Sequence, residues 1–302
     1  MKKLIFIFLS ILWPALASPS AAAENKVLFE GYYRIEVKGV HRGYVVQRHE
    51  YNQATQERTL TYFMWRKEDG DVSQMGVKAV SRNGLRPKSY SLYEWLNADS
   101  TVLHGKFGPK NLELTKHDLR TNKVIEVPEP VVIPQNAIFS SYVTQVMAKA
   151  DPEAYREGLH MSFVGFSEES AEFDDGLLKI LRTNPFENQM VYQVLASFMN
   201  EDIELFTFRN GEMLGSRSEI LDNVTYLVGT KEEAIGDFKI AADSLKKVFG
   251  NIPHGATNNP VGQAKGKLQA KEVIKSFPKS KDSDRQPNSK ELPKAFQWPA
   301  GI

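Results

Sequence analysis

From residue 33 onward the chain alternates short apolar and polar runs, broken by turn-forming residues. Tyr33, Ile35 and Val37 alternate with Arg34 and Glu36, the period-two pattern of a strand with one buried face and one wet face. Residues 39–43, bounded by glycines, read as a turn, and 44–51 as the returning strand. Further strand patterns cover 58–67, 72–82, 85–95, 101–107 and 111–117. Asp69-Gly70 and Asn83-Gly84 tolerate the positive φ of tight hairpin turns. Consecutive hairpins predict an antiparallel meander.

A proline-rich stretch at 127–134 ends this first set. Ile138, Phe139, Tyr142, Val143, Val146, Met147 and Ala150 then recur at steps of three and four, which predicts a helix near 137–150. Strand patterns resume at 159–166, 177–183, 189–199, 203–208, 213–220 and 224–228, with a hairpin signal at Asn210-Gly211. Thr230 and Glu233 have capping-box spacing, and an apolar stripe from Ala234 to Phe249 predicts a second helix over 231–249. Lys246 and Lys247 suit its C-terminal end, and Gly250 its stop. The order of elements predicts one α+β domain over 24–250. Its expected form is a large curved, half-barrel-like antiparallel sheet packed on two or more helices along its inner side.

Two strands are apolar on both faces. Leu60, Tyr62 and Met64 alternate with Phe63 and Trp65, and Met190, Tyr192 and Val194 alternate with Val191 and Leu195. Antiparallel sheets usually keep one face wet, so these strands need cover on both sides. A central strand between packed layers meets that need, and so does a strand lining an apolar cavity. On the second reading the lining residues are Tyr62, Met64, Phe139, Val143, Tyr192, Val194 and Phe238.

The ends of the chain differ from this body. Lys2 and Lys3 precede a short apolar run ending at Pro14. Small-x-small sites follow at Ala17 and Ala23, so 1–23 reads as a cleavable signal peptide. Residues 251–302 hold nine basic and four acidic residues, a balance of +5, whereas 24–250 carry 27 basic and 33 acidic residues, a balance of −6. The formal net charge of +1 is therefore an average over a mildly acidic body and a basic tail. The tail's apolar residues are scattered singly, which predicts disorder, with a more apolar segment at 295–299. Such a tail could also tether the protein to an anionic surface.

Composition narrows the chemistry. The chain of 302 residues is 41% hydrophobic and 25% charged, proportions of a globular protein and not of a membrane-embedded one. Its small net charge disfavours nucleic-acid binding. The absence of cysteine removes disulfides, thiolate ligands, a thiol nucleophile and a lipid-modified cysteine together. Six histidines lack metal-ligand spacing; His104 and His117 flank a hairpin near Gly108-Pro109 at unequal offsets. No nucleophile elbow or phosphate loop occurs. Ser140-Ser141 reads as a helix start, and Glu168, Glu169, Glu172, Asp174 and Asp175 as a solvated acidic loop. No catalytic residue, metal or cofactor is expected.

Residues 30–35 with 39–44, Glu-Gly-Tyr-Tyr-Arg-Ile and Gly-Val-His-Arg-Gly-Tyr, resemble the opening hairpin of β-rich periplasmic proteins of unknown function. Residues 209–212 and 230–234 are similar to the closing segment of the same domains, some of which precede a transglutaminase-like module. The architecture also resembles the half-barrel of periplasmic lipoprotein carriers, in which a curved sheet wraps helices over an apolar cavity. That likeness implies a non-enzymatic, exported carrier or binding module for a lipid or acyl chain, periplasmic or secreted. The alternative is an envelope interaction protein that holds a partner through sheet edges or its basic tail.

Overall fold

The computed structural model describes residues 25–82, 85–96, 99–149, 157–218, 222–264 and 269–281. The signal segment, the Asn83-Gly84 turn and the 295–299 segment lie outside them. Among the described residues sixteen strands form one sheet. The first half comprises β1 (Lys26–Val37), β2 (Val40–Asn52), β3 (Glu57–Glu68), β4 (Asp71–Arg82), β5 (Arg86–Leu96), β6 (Asp99–Phe107), β7 (Asn111–Asp118), β8 (Val124–Glu126) and β9 (Val131–Val132). The second comprises β10 (Ala137–Phe139), β11 (His160–Ser167), β12 (Glu172–Phe186), β13 (Gln189–Phe198), β14 (Glu201–Phe208), β15 (Met213–Ser218) and β16 (Asn223–Val228).

β1 to β8 and β11 to β16 are each a meander, and the two join where β16 pairs β1, with Tyr33 opposite Leu227. The order runs from β10 through β16 to β1 and on to β8, while β9 pairs β7 beside it. Every pairing is antiparallel except β10 with β11. The Asp69-Gly70 turn has the expected positive φ at both residues, 47° and 99°. The first turn is tighter than the glycine spacing suggests: Lys38 and Gly39 make it alone, at φ 51° and 74°.

The sheet curves until its two ends face each other. Leu60, Val77, Tyr90, Leu92 and Leu114 from the first half share one core with Phe139, Phe163, Phe166, Ile180 and Val194 from the second. Rings fill this interior: the Phe107 centroid lies 5.3 Å from that of Phe139 and 5.3 Å from that of Phe166. The opposite face of β3 carries Phe63 and Trp65 into a second core with Tyr44, Phe206 and Leu245. The two-faced apolar pattern of β3 therefore reflects two cores.

The helical content departs from expectation. The architecture is mostly β, a single large curved antiparallel sheet, and not an α+β sheet wrapped around helices on its inner side. Five α-helices of four to eight residues occur among the described residues: α1 (Val143–Lys149), α2 (Lys231–Ile235), α3 (Ala242–Phe249), α4 (Pro260–Gln263) and α5 (Ala270–Ser276). The helix expected at 137–150 starts late, because Ala137, Ile138 and Phe139 are all buried in β10 and a 3₁₀ turn at Ser140–Tyr142 follows. The helix expected at 231–249 is two. Gly236 sits at φ 55° and ψ −128°, a conformation reserved for glycine, and ends α2.

The ordered body also continues past Gly250, the expected end. Residues 251–264 and 269–281 run along the sheet, and Val273, Ile274 and Phe277 from α5 and its end are buried in the second core. Residues 282–302 lie outside the described residues.

Candidate functional site

A cleft of about 360 Å³ opens beside the interior core, between β3 of the first half and β11, β13 and β14 of the second. Its walls come from β3, α1 and β11 on one side and from the β13–β14 hairpin on the other. Phe163, Ala196 and Leu205 form its buried apolar floor, and Val143, Phe198 and Ile203 are half-buried around them. Its rim is polar, with Glu169, Ser170 and Glu201 exposed to solvent.

Glu168 is the unusual group in this wall, being only 2% exposed. The Ser140 hydroxyl donates to its Oε2 at 2.7 Å, the Ser141 hydroxyl donates to its Oε1, and the Ser141 amide adds a 3.4 Å contact. No Lys or Arg pairs with it among the described residues. Burial pushes its carboxyl above the ordinary value, and the two serine hydroxyls hold it back in part. Glu169 lies at the solvent edge, and the Tyr62 hydroxyl donates to its Oε1 at 3.2 Å. The Tyr62 phenol is itself raised well above normal, by burial first and then by the charges of Glu169 and Glu168. This end of the cleft therefore accepts hydrogen bonds and positive charge, and it disfavours a second anion.

Two of the seven expected lining residues, Tyr62 and Val143, line this cleft. Phe139, Tyr192 and Val194 belong to the packed interior core beside it. Met64 is half-buried on β3, opposite Val45 and Met75. Phe238 lies in the other core, against Trp65 at 4.7 Å and His41 at 4.5 Å between ring centroids. The reading by strand parity missed Glu168, Glu169, Ser140 and Ser141. It placed the serines at a helix start and the glutamates in a wet loop, and only the contact between β11 and the 3₁₀ turn brings them together.

A larger groove of about 670 Å³ lies between β16, α4 and α5. Its charged groups are already engaged with one another: Lys271 Nζ is 2.6 Å from Glu36 Oε2, and the Tyr226 hydroxyl donates to Glu36 Oε1 at 2.7 Å. It offers less unmet chemistry than the smaller cleft. No group of three or more His, Cys, Asp or Glu converges among the described residues. No helix among them is long and apolar enough to cross a membrane.

No family model and no curated protein matches the chain. Among solved structures it is similar to a DUF1089 family protein from Pseudomonas aeruginosa, at 9% identity and a TM-score of 0.25, over 70% of this chain and 95% of that one.

Proposed function

We propose that the protein is an exported, non-enzymatic binding module that takes a small apolar ligand into the cleft between β3, β11 and the β13–β14 hairpin. One observation carries this reading: an apolar cleft with a buried carboxylate in its wall that lacks a basic partner among the described residues. Ligand pockets are mostly apolar with a few polar anchors, and this cleft has the volume of a small member of that class. Because the interior behind it is filled by aromatic rings, the ligand occupies the cleft and does not thread the sheet. Glu168 and Glu169 favour a ligand whose polar end is an amine or a hydroxyl, and they argue against a fatty-acid carboxylate. An export signal at 1–23 would place this activity in the periplasm or outside the cell.

The test is native mass spectrometry and solvent extraction of protein recovered from its own host, beside an Ala196→Phe variant that fills the cleft. A bound apolar molecule in the native protein that is lost from the variant supports the reading. Recovery of both proteins free of any bound molecule would overturn it.

An envelope interaction role has separate support at the sheet edge. Val124, Ile125, Val127 and Val132 are each more than half exposed, and β8 has no strand on its outer side among the described residues. Exposed apolar edges of this kind attract partners. Lost pull-down partners after replacing Val124 and Ile125 by lysine would favour this second role.

A further inference from the structure

His104 on β6 and His117 on β7 project from the same face of the sheet as diagonal neighbours, since His104 is opposite Thr115 and His117 is opposite Val102. Their ring centroids are 5.4 Å apart. The Ser91 hydroxyl on β5 lies 2.8 Å from His104 Nδ1. His117 Nδ1 is buried and has no hydrogen-bond partner. Buried polar atoms nearly always have a partner, so this one asks for an explanation.

We propose that His104 and His117 form a two-histidine site for a borderline divalent transition metal, of the Cu²⁺, Ni²⁺ or Zn²⁺ type. With its Nδ1–H donating to Ser91, His104 presents the Nε2 lone pair, the arrangement in which an outer hydrogen bond fixes the tautomer of a ligating histidine. His117 supplies the second nitrogen through its unpartnered Nδ1. A metal lies about 2.0–2.1 Å from an imidazole nitrogen and roughly 3.2 Å from the ring centre, so a tetrahedral angle sets two ligating rings about 5.2 Å apart. The observed spacing matches. His104 is exposed, which leaves the remaining coordination positions to water or to a donor from a partner. Imidazole pairs suit copper, nickel and zinc, with Cu²⁺ bound most tightly.

The test uses the full chain, Zn²⁺ titration calorimetry and Cu²⁺ electron paramagnetic resonance. One tight site with two nitrogen couplings is expected. His104→Ala and His117→Asn should each weaken it at least tenfold. Ser91→Ala should weaken it more modestly, and His160→Ala and His254→Ala should leave it unchanged. Urea midpoints of each variant separate lost binding from lost folding. Equal affinity in the wild type and both ligand variants, or coupling to a single nitrogen, would overturn the proposal.

Discussion

Arg217 on β15 stands directly opposite Glu204 on β14, and its Nε donates to Glu204 Oε2 at 3.0 Å in a setting where both side chains are less than a tenth exposed. The same guanidinium also donates to the carbonyls of Phe277 at 3.3 Å and Pro278 at 3.1 Å, and Glu204 Oε1 accepts from the Ser280 amide at 2.7 Å. Glu30 and Arg48 repeat the device on β1 and β2. Arg48 Nε donates to Glu30 at 2.6 Å and Arg48 to the Phe249 carbonyl at 3.3 Å, while Glu30 accepts the amides of His254 and Gly255. Each cross-strand pair thus reserves part of its hydrogen-bonding capacity for the chain after α3. The two pairs help to clip residues 249–255 and 277–280 to the sheet.

Arg217→Met should therefore cost about 3–5 kcal/mol, because it leaves a buried carboxylate and several carbonyls without donors. The loss should be local first. Hydrogen exchange should rise at residues 270–280 before it rises in β14, and the urea midpoint should fall. The double variant Arg217→Met with Glu204→Leu should recover part of the loss, since no unpaired charge is then buried. A single variant as stable as wild type, with unchanged exchange at Phe277, would show that the clip contributes nothing.

Glycine at 43 is dictated by backbone and not by a turn. A Cβ there would lie 2.1 Å from the Trp65 carbonyl oxygen on the paired strand β3, which cannot swing aside as a side chain would. Gly43→Ala should destabilise the protein by about 3 kcal/mol or more, at or beyond the upper end of ordinary overpacking. Gly39→Ala is the control: its φ is 74°, but no atom lies within 4 Å of a built Cβ. It should cost only about 1–2 kcal/mol, the strain of a left-handed residue. Thermal unfolding of the two variants gives the comparison, and equal losses would sink the steric account.

These positions show what was legible in the sequence. The strands and hairpin turns were, because alternation and Asp-Gly or Asn-Gly steps are local signals. The curvature that brings β5 against β10 was not, as it arises from contacts between residues far apart in the chain. The tail beyond Gly250 looked solvated since its apolar residues are embedded among lysines and serines. Ala270, Val273, Ile274 and Phe277 nevertheless recur at steps of three, one and three, a helical face that also needed Arg217 to hold it. The apolar half of the cleft was partly visible in Tyr62 and Val143. Its acidic half was hidden, because nothing in a run of glutamates says which one will be buried.

His49 predicts how the fold responds to acid. It lies beside Phe29, its Nε2 is 3.1 Å from Gln47, and its Nδ1 is 3.4 Å from Gln145 of α1. Burial, with a smaller push from the Arg58 charge, lowers its pKa to about 4 from an ordinary 6.5. The unfolded chain thus binds a proton that the folded one refuses between these values. Stability contributed by neutral His49 is complete above pH 6.5 and is lost as pH falls toward 4, by about 3 kcal/mol. His49→Gln should flatten the pH dependence of the urea midpoint across that window. An unchanged slope would assign the acid sensitivity to other groups.

Glu168 predicts the opposite slope. Its folded pKa is raised, so the folded state holds a proton that the unfolded state has already released. For a raised acid, the stabilisation is present below the unfolded value and declines as pH climbs through the folded value. Glu168→Gln keeps a carbonyl to accept from Ser140 or Ser141 and removes the titration. The variant should match wild type near pH 4 and exceed it in stability above the folded pKa, where wild type carries a buried charge without a cation. It should also lose preference for an amine-bearing ligand while retaining the apolar body of the cleft. Urea midpoints of both proteins from pH 4 to 8 decide the matter. If the two curves run parallel throughout, Glu168 does not titrate in this range and the cleft is not built around its charge.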